Sequence, residues 1–175
     1  LTVFAAWVDP AHDAAGNMIL MPRPTSITGT AFEASSTNAL VCAYDAWNRM
    51  VCVHADSGTA SRTLDRGDAL VAIYQYDGLN RRVAKLLPTG SNFKRADYYY
   101  NENLQVLEER QNTSVSGTAT AATAPSRKML WDARYIDAPV WQWAASACYY
   151  YTTDANMNVT TWVLSGGGGC MMARK

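Results

Sequence analysis

Only two side chains in this sequence, His12 and His54, are of the type that takes up and releases a proton near neutral pH. His54 stands beside Asp56 and Ser57, a trio with the residue types of a nucleophilic triad. A triad, however, is assembled in space, with an imidazole oriented between carboxylate and hydroxyl, and adjacency in sequence does not supply that geometry. No GxSxG, HExxH, GxxxxGK[ST] or CxxC motif is present, so acyl transfer, zinc hydrolysis, phosphate cradling and dithiol exchange lack their usual frames. The four cysteines, at 42, 52, 148 and 170, match no zinc or redox spacing and read as free thiols. Cys42 and Cys52 lie equally far from Trp47 and would face each other across a symmetric hairpin, where a disulfide needs a narrow geometry. Asp45, Asp77 and Asp154 recur, but no segment has the D-x-D-x-D-G spacing that gathers several oxygens around calcium. They read as turn formers. Trp141 and Trp143, on one face of a strand by alternation, would stack on a sugar or pair across strands. The reading is a chain with no catalytic residue, no metal and no cofactor, and with Trp141 and Trp143 as candidate sugar-stacking positions.

The elements that position these residues follow from composition. In 175 residues, 15 basic and 15 acidic side chains cancel, and only 17% of residues are charged, which argues against a nucleic-acid surface built on clustered Lys and Arg. Apolar residues make up 49%, enough for a core, and the aromatic share lies in ten Tyr and six Trp against three Phe. Tyr and Trp favour pleated, partly wet surfaces. No run of 18 apolar residues marks a membrane helix, and no export signal opens the chain.

Self-similarity organises the rest. The chain reads YDAWNRMVCV from Tyr44, YDGLNRRVAK from Tyr76 and YNENLQVLEE from Tyr100, with looser copies at HDAAGNMIL from His12 and TDANMNVTTWV from Thr153. Aligned on the acidic or amide position, these fall at Asp13, Asp45, Asp77, Asn101 and Asp154, and WDARYI from Trp131 fits the long last gap as a degenerate copy around Asp132. Each copy predicts a hairpin. Aromatics alternate before the Asp (Tyr74 and Tyr76, Tyr98 and Tyr100, Tyr149 and Tyr151), as on one face of a strand. The Asp then accepts bonds from amides one or two residues on, and Gly16, Asn48 or Asn80 three residues later tolerates a left-handed backbone. Apolar residues resume with period two in the second strand. Arg49, Arg81, Asn17 and Asn158, where that strand begins, are expected to bridge to a neighbouring hairpin.

The pattern resembles the YD repeat of the RHS family: Tyr, Asp, two variable residues, Gly or Asn, Arg, then an apolar residue. The match is good at Tyr44 to Met50 and at Tyr76 to Val83, while the Asp13 copy lacks the Tyr and the Tyr100 copy has Asn101 for Asp and no Arg. WDARYIDAPV and YYYTTDANMNVT, which contains Tyr151, also resemble RHS stretches, so the likeness spans roughly residues 12 to 164. It implies an all-β array of antiparallel hairpins forming a curved sheet, part of a larger shell. It implies, as partners, further repeats of a parent chain and an enclosed C-terminal toxin or effector domain, and a secreted or cell-surface location. The rival expectation is a carbohydrate-binding or adhesion module that uses exposed aromatics.

Between the repeats lie turn-rich connectors at Met21 to Thr30, Asp56 to Asp68 and Asn112 to Ser126, the last read as a solvated loop. Phe32 to Leu40 is expected to make one or two helical turns. From Ser165 the text SGGGGCMMARK reads as a disordered or non-native tail, and Leu1 in place of a start Met suggests a piece of a longer chain, marginally stable by itself.

Overall fold

A computed structural model describes residues 7–28, 31–58, 63–116, 121–135 and 137–165. It is all-β. The strands are β1 (Ala11–His12), β2 (Met18–Pro22), β3 (Ser26–Thr28), β4 (Ala31–Glu33), β5 (Ala39–Tyr44), β6 (Met50–Ala55) and β7 (Ala69–Tyr76). They continue with β8 (Arg82–Thr89), β9 (Asn92–Tyr100), β10 (Val106–Ser116), β11 (Arg127–Trp131), β12 (Pro139–Ala144), β13 (Ala147–Thr153) and β14 (Val159–Leu164). Twelve follow one another in sheet order as they do in sequence, and β3 and β4 form a separate two-stranded ribbon. Every pairing between described neighbours is antiparallel, as a succession of hairpins requires.

The chain falls into two compact units, Leu1–Gln75 with Lys85–Ser91, and Tyr76–Ala84 with Asn92–Lys175. In the first unit, cross-strand partners Leu20 and Val41 pack with Val8, Ala11 and Ala39. One residue along β5, and therefore on the opposite face, Cys42, Val53 and Ala72 form a row across β5, β6 and β7, flanked by Met21, Leu40, Tyr44 and Tyr74. Apolar residues are thus packed on both faces of this stretch. In the second unit the buried apolar residues are small or widely spaced, among them Ala84, Ala96, Ala138, Trp141 and Cys148. Asp97, Gln105 and Glu109 are buried as well, each with side-chain hydrogen bonds. Arg127 reaches the Glu109 carboxylate at 3.4 Å and Arg95 grips Asp97 at 2.6 Å, so these carboxylates are matched by charge.

Five expectations change. Cys148, read with the others as a free thiol, is disulfide-bonded. Phe32 to Leu40 is not helical: β4 and β5 occupy its ends, and between them the Ser35 hydroxyl accepts bonds from the Thr37 and Asn38 amides, a side-chain turn that competes with a helix. The segment after Asn112 is not loop throughout, because β10 continues to Ser116 with Val115 opposite Phe93. Cys42 and Cys52 do not face each other. A bulge between Ala43 and Tyr44 slips the register by one, setting Cys42 against Val53 and Cys52 against Ala43, and both thiols are free. Finally, Arg49, Arg81 and Asn158 turn back to the carboxylate of their own turn, whereas Asn17 does so and also makes the expected bridge to the neighbouring hairpin, as set out below. The proposed tail from Ser165 onward lies, but for Ser165 itself, outside the described residues.

Candidate functional site

The chemistry-bearing residues converge on the turns, and the turns share one design. Asp13, Asp45, Asp77, Asn101 and Asp154 each accept, through Oδ1, the amide N–H of the residue two further on and that of the residue four further on, at 2.8 to 3.1 Å. Each also donates its own amide to the carbonyl four residues on, and accepts at its carbonyl from the amide three residues on. That third residue is left-handed every time: Gly16 (φ 87°), Asn48 (60°), Asn80 (66°), Leu104 (64°) and Met157 (63°). One short side chain with an acceptor oxygen therefore satisfies amides that the five-residue loop turns away from the ladder.

The fourth residue closes the turn through the second oxygen. Asn17 and Asn158 donate Nδ2 to Asp13 and Asp154 at 2.8 and 3.0 Å, and Arg49 and Arg81 donate Nε to Asp45 and Asp77 at 2.7 and 2.6 Å. At Asn101 the polarity inverts: its Nδ2 donates to Gln105 Oε1 at 2.7 Å. Asn17 additionally reaches the neighbouring hairpin, donating to Asn48 Oδ1 at 3.0 Å. These bonds favour the carboxylates. The side-chain bond from Asn17 lowers the pKa of Asp13 and that from Asn158 lowers Asp154, while the Arg81 amide is the largest cause at Asp77. At Asp45 desolvation pushes upward, yet the Arg49 amide and guanidinium outweigh it and the pKa is lowered.

Asp132 is a sixth, longer version. Its Oδ1 accepts the Arg134 amide at 2.8 Å, but its own amide donates to Ala138, six residues on, and the guanidinium closing onto it comes from Arg134. The bonds from Arg134 hold the Asp132 carboxyl down at about 2.

The residue before the turn does something else. Tyr44 donates its hydroxyl to the Met18 carbonyl at 3.0 Å, Tyr100 to the Arg82 carbonyl at 2.8 Å, and Trp131 its indole N–H to the Val106 carbonyl at 2.8 Å. Met18, Arg82 and Val106 are each five residues past the turn residue of the preceding copy, Asp13, Asp77 and Asn101. An aromatic donor thus ties each of these hairpins to a fixed point on the one before it. Arg81 also lies over the Tyr100 ring at 5.6 Å, and Arg82 over Tyr98 at 5.2 Å. Tyr76 stands at the corresponding place before Asp77, half-buried. His12 and Thr153 fill that place in the other two copies, and Tyr151 sits three residues before Asp154, donating instead to Gln142 Oε1 at 2.7 Å.

The remaining candidates sit apart. Trp141 is 7% exposed and opposite Leu130 and Tyr150, so its ring offers no open face, and Trp143 is half-buried between Lys128 and Cys148. The open aromatics are others: Trp47 at a turn tip, 74% exposed, and Trp162 on β14, whose ring meets Tyr149 edge-on at 5.2 Å. His54 Nδ1 lies 3.4 Å from Cys52 Sγ, and the Ser57 amide donates to Asp68 Oδ1 at 2.9 Å. Burial raises the pKa of both Cys42 and Cys52, which keeps the thiols protonated. A hollow of about 430 Å³ lined by Arg81, Arg95, Asp97 and Tyr98 to Tyr100 has both guanidinium groups already engaged by carboxylates.

The sequence matches no protein-family model and no curated protein.

Sequence reasoning found the turn residues but missed the tie. Its donor was visible as a recurring aromatic, but its acceptor is a main-chain oxygen, which leaves no residue type to read.

Proposed function

We propose that this chain is a non-catalytic length of wall made of RHS/YD-type hairpins, belonging to a secreted or surface-exposed assembly that encloses or presents a C-terminal toxin or effector domain. The observation that carries the reading is the aromatic tie from one hairpin to a fixed carbonyl of the hairpin before it. Each of these three units heads its turn with its own Asp or Asn and spends its aromatic on its predecessor, which is how a surface grows by adding like units. Asp45 with Arg49 and Asp77 with Arg81 are paired within their own turns, which accords with a structural rather than a chemical task.

Electron microscopy of the whole polypeptide that contains this sequence tests the reading, together with limited proteolysis of its C-terminal domain. The expected result is a hollow particle with internal density and a C-terminal domain that resists protease until the particle is opened. An extended or solid particle, with the domain digested as fast as when free, overturns it. The adhesion reading draws on the exposed Trp47, Trp162 and Tyr150. Specific binding on a glycan array that disappears with Trp143→Ala or Trp162→Ala would place it first.

A further inference from the structure

The hollow of about 430 Å³ beside β9 has the size of a small-ligand site, and a wall of hairpins does not call for one. Arg95, Asp97 and Tyr99 alternate along β9 and so share one face of the strand. Arg81, Val83 and Tyr100 complete the lining. All six lie in the second compact unit.

Three of these side chains keep a capacity that their partners in the fold do not use. Arg81 binds Asp77 through Nε, and among the described residues its Nη1 and Nη2 groups make no hydrogen bond, so the end of the guanidinium fork is left with donors to give. Asp97 accepts from Arg95 twice at Oδ1 and once at Oδ2, so Oδ2 retains a lone pair that these bonds do not fill. The Tyr99 ring is 42% exposed and carries the Arg110 guanidinium at 4.6 Å. Arg110 covers one face of the ring, and the ring has two. Tyr100 is fixed beside it by the bond from its hydroxyl to the Arg82 carbonyl.

The lining selects its ligand by exclusion. Arg81 cancels Asp77 and Arg95 cancels Asp97, so no net charge draws an ion of either sign. A wholly apolar molecule would take water from the Arg81 fork and give no hydrogen bond in return. What fits is a neutral molecule that offers hydroxyls to a donor and to an acceptor at once, and an aliphatic C–H face to the electron-rich face of a phenol ring. A pyranose sugar has all of these. We propose that this hollow is a binding site for a neutral pyranoside, in which one sugar hydroxyl accepts from the Arg81 Nη groups, another donates to Asp97 Oδ2, and the C–H face of the sugar lies on Tyr99. The site goes beyond the proposed wall and does not rest on it. It also uses none of Trp47, Trp162 and Tyr150, on which the adhesion reading draws.

The test titrates the nitrogen-15-labelled full chain with four neutral probes, the methyl pyranosides of glucose, galactose, mannose and N-acetylglucosamine. Each is taken to about 20 mM, well above a Kd of about 1 mM. The expected result is saturable shifts, with at least one probe, at the Arg81 Nε–H and at the amides of Asp97 to Tyr100, while the amides of β1 and β2 stay still. Tyr99→Ala should weaken that binding about three- to tenfold, the worth of one aromatic face, and Tyr99→Phe should leave it unchanged, since the ring is used and not its hydroxyl. Arg81→Lys keeps a cation for Asp77 but loses the fork, and should weaken binding as well. The Tyr99 pair decides the matter even where Arg81→Lys disturbs its turn. No saturable shift with any of the four probes overturns the proposal. So does tighter binding of glucuronate than of the methyl glucoside, which would make the hollow an anion site. Binding that Trp162→Ala abolishes and Tyr99→Ala leaves intact would overturn this site and favour the adhesion reading instead.

Discussion

Trp131 gives its indole N–H to the Val106 carbonyl just as Tyr44 gives its hydroxyl to Met18, so two different side chains perform one task in hairpins that share little sequence. The donor matters and the ring that carries it does not, which sets the first expectation.

Tyr44→Phe and Trp131→Phe should each cost about 0.5–1.5 kcal/mol in urea unfolding, because each removes one partly buried hydrogen bond and leaves a carbonyl behind. Tyr100→Phe should cost less, since its hydroxyl is exposed to water. A loss at Tyr100 as large as that at Tyr44 would mean that ring packing, not the hydrogen bond, holds the hairpins together.

At the turns, Asp77→Asn should be milder than Asp77→Ala. An amide oxygen can still accept from the Leu79 and Arg81 amides, as Asn101 does from Asn103 and Gln105. Amide exchange at residues 79 and 81 gives the comparison, and equal acceleration by both substitutions would show that the carboxylate charge, not the acceptor geometry, makes the turn.

Acid should loosen the turns selectively. The folded-state pKa values of Asp13, Asp45, Asp77, Asp132 and Asp154 lie below the ordinary 3.8, Asp132 at about 2. A depressed carboxylate stabilises the fold above its unfolded pKa and loses that contribution as pH falls through the folded value. The melting temperature should therefore be level down to about pH 4 and fall from there towards about pH 2. The Asn101 turn has no carboxylate at its head, so the Asn103 and Gln105 amides should stay protected at acidity where those of Leu79 and Arg81 exchange freely. Simultaneous loss at both turns would contradict a local origin.

Leu104 holds φ 64° with its side chain in solvent, and Ala145 and Ser146 hold 48° and 63° in the two-residue turn between β12 and β13. A left-handed backbone costs an ordinary side chain about 1–2 kcal/mol. Leu104→Asn should accordingly stabilise by about 0.5–1 kcal/mol, and Ala145→Asn with Ser146→Gly should also raise stability, supplying the Asn-Gly pair such a turn prefers. Thermal melts decide both, and a lower melting temperature in either variant would show that the present residues contribute packing there.

The hairpins were legible because their turns are local: an acceptor at one position, a left-handed residue three later and a closing donor at the fourth all lie within five residues. Gly16, Asn48 and Asn80 announced the backbone they adopt, whereas Leu104 and Met157 adopt it without the residue type that signals it. The destination of Arg49 was misread because both its own Asp45 and a neighbouring hairpin lie within reach of so long a side chain, and spacing alone does not choose between them. The separation of Cys42 from Cys52 was hidden by a bulge at Ala43 and Tyr44, a backbone event that reverses faces without a distinctive residue. Ser35 shows the same limit, since its hydroxyl redirects a stretch of otherwise helix-compatible composition.

A main-chain oxygen belongs to every residue, so the tie asks nothing of the side chain at its receiving end: a thioether at Met18, a cation at Arg82 and a branched alkane at Val106 serve alike. The coupling between neighbours is therefore universal on one side and selective on the other. A hairpin with a suitable donor can be exchanged, duplicated or moved along the array without re-matching its new predecessor, and divergence can accumulate at the joints while the joints still fit.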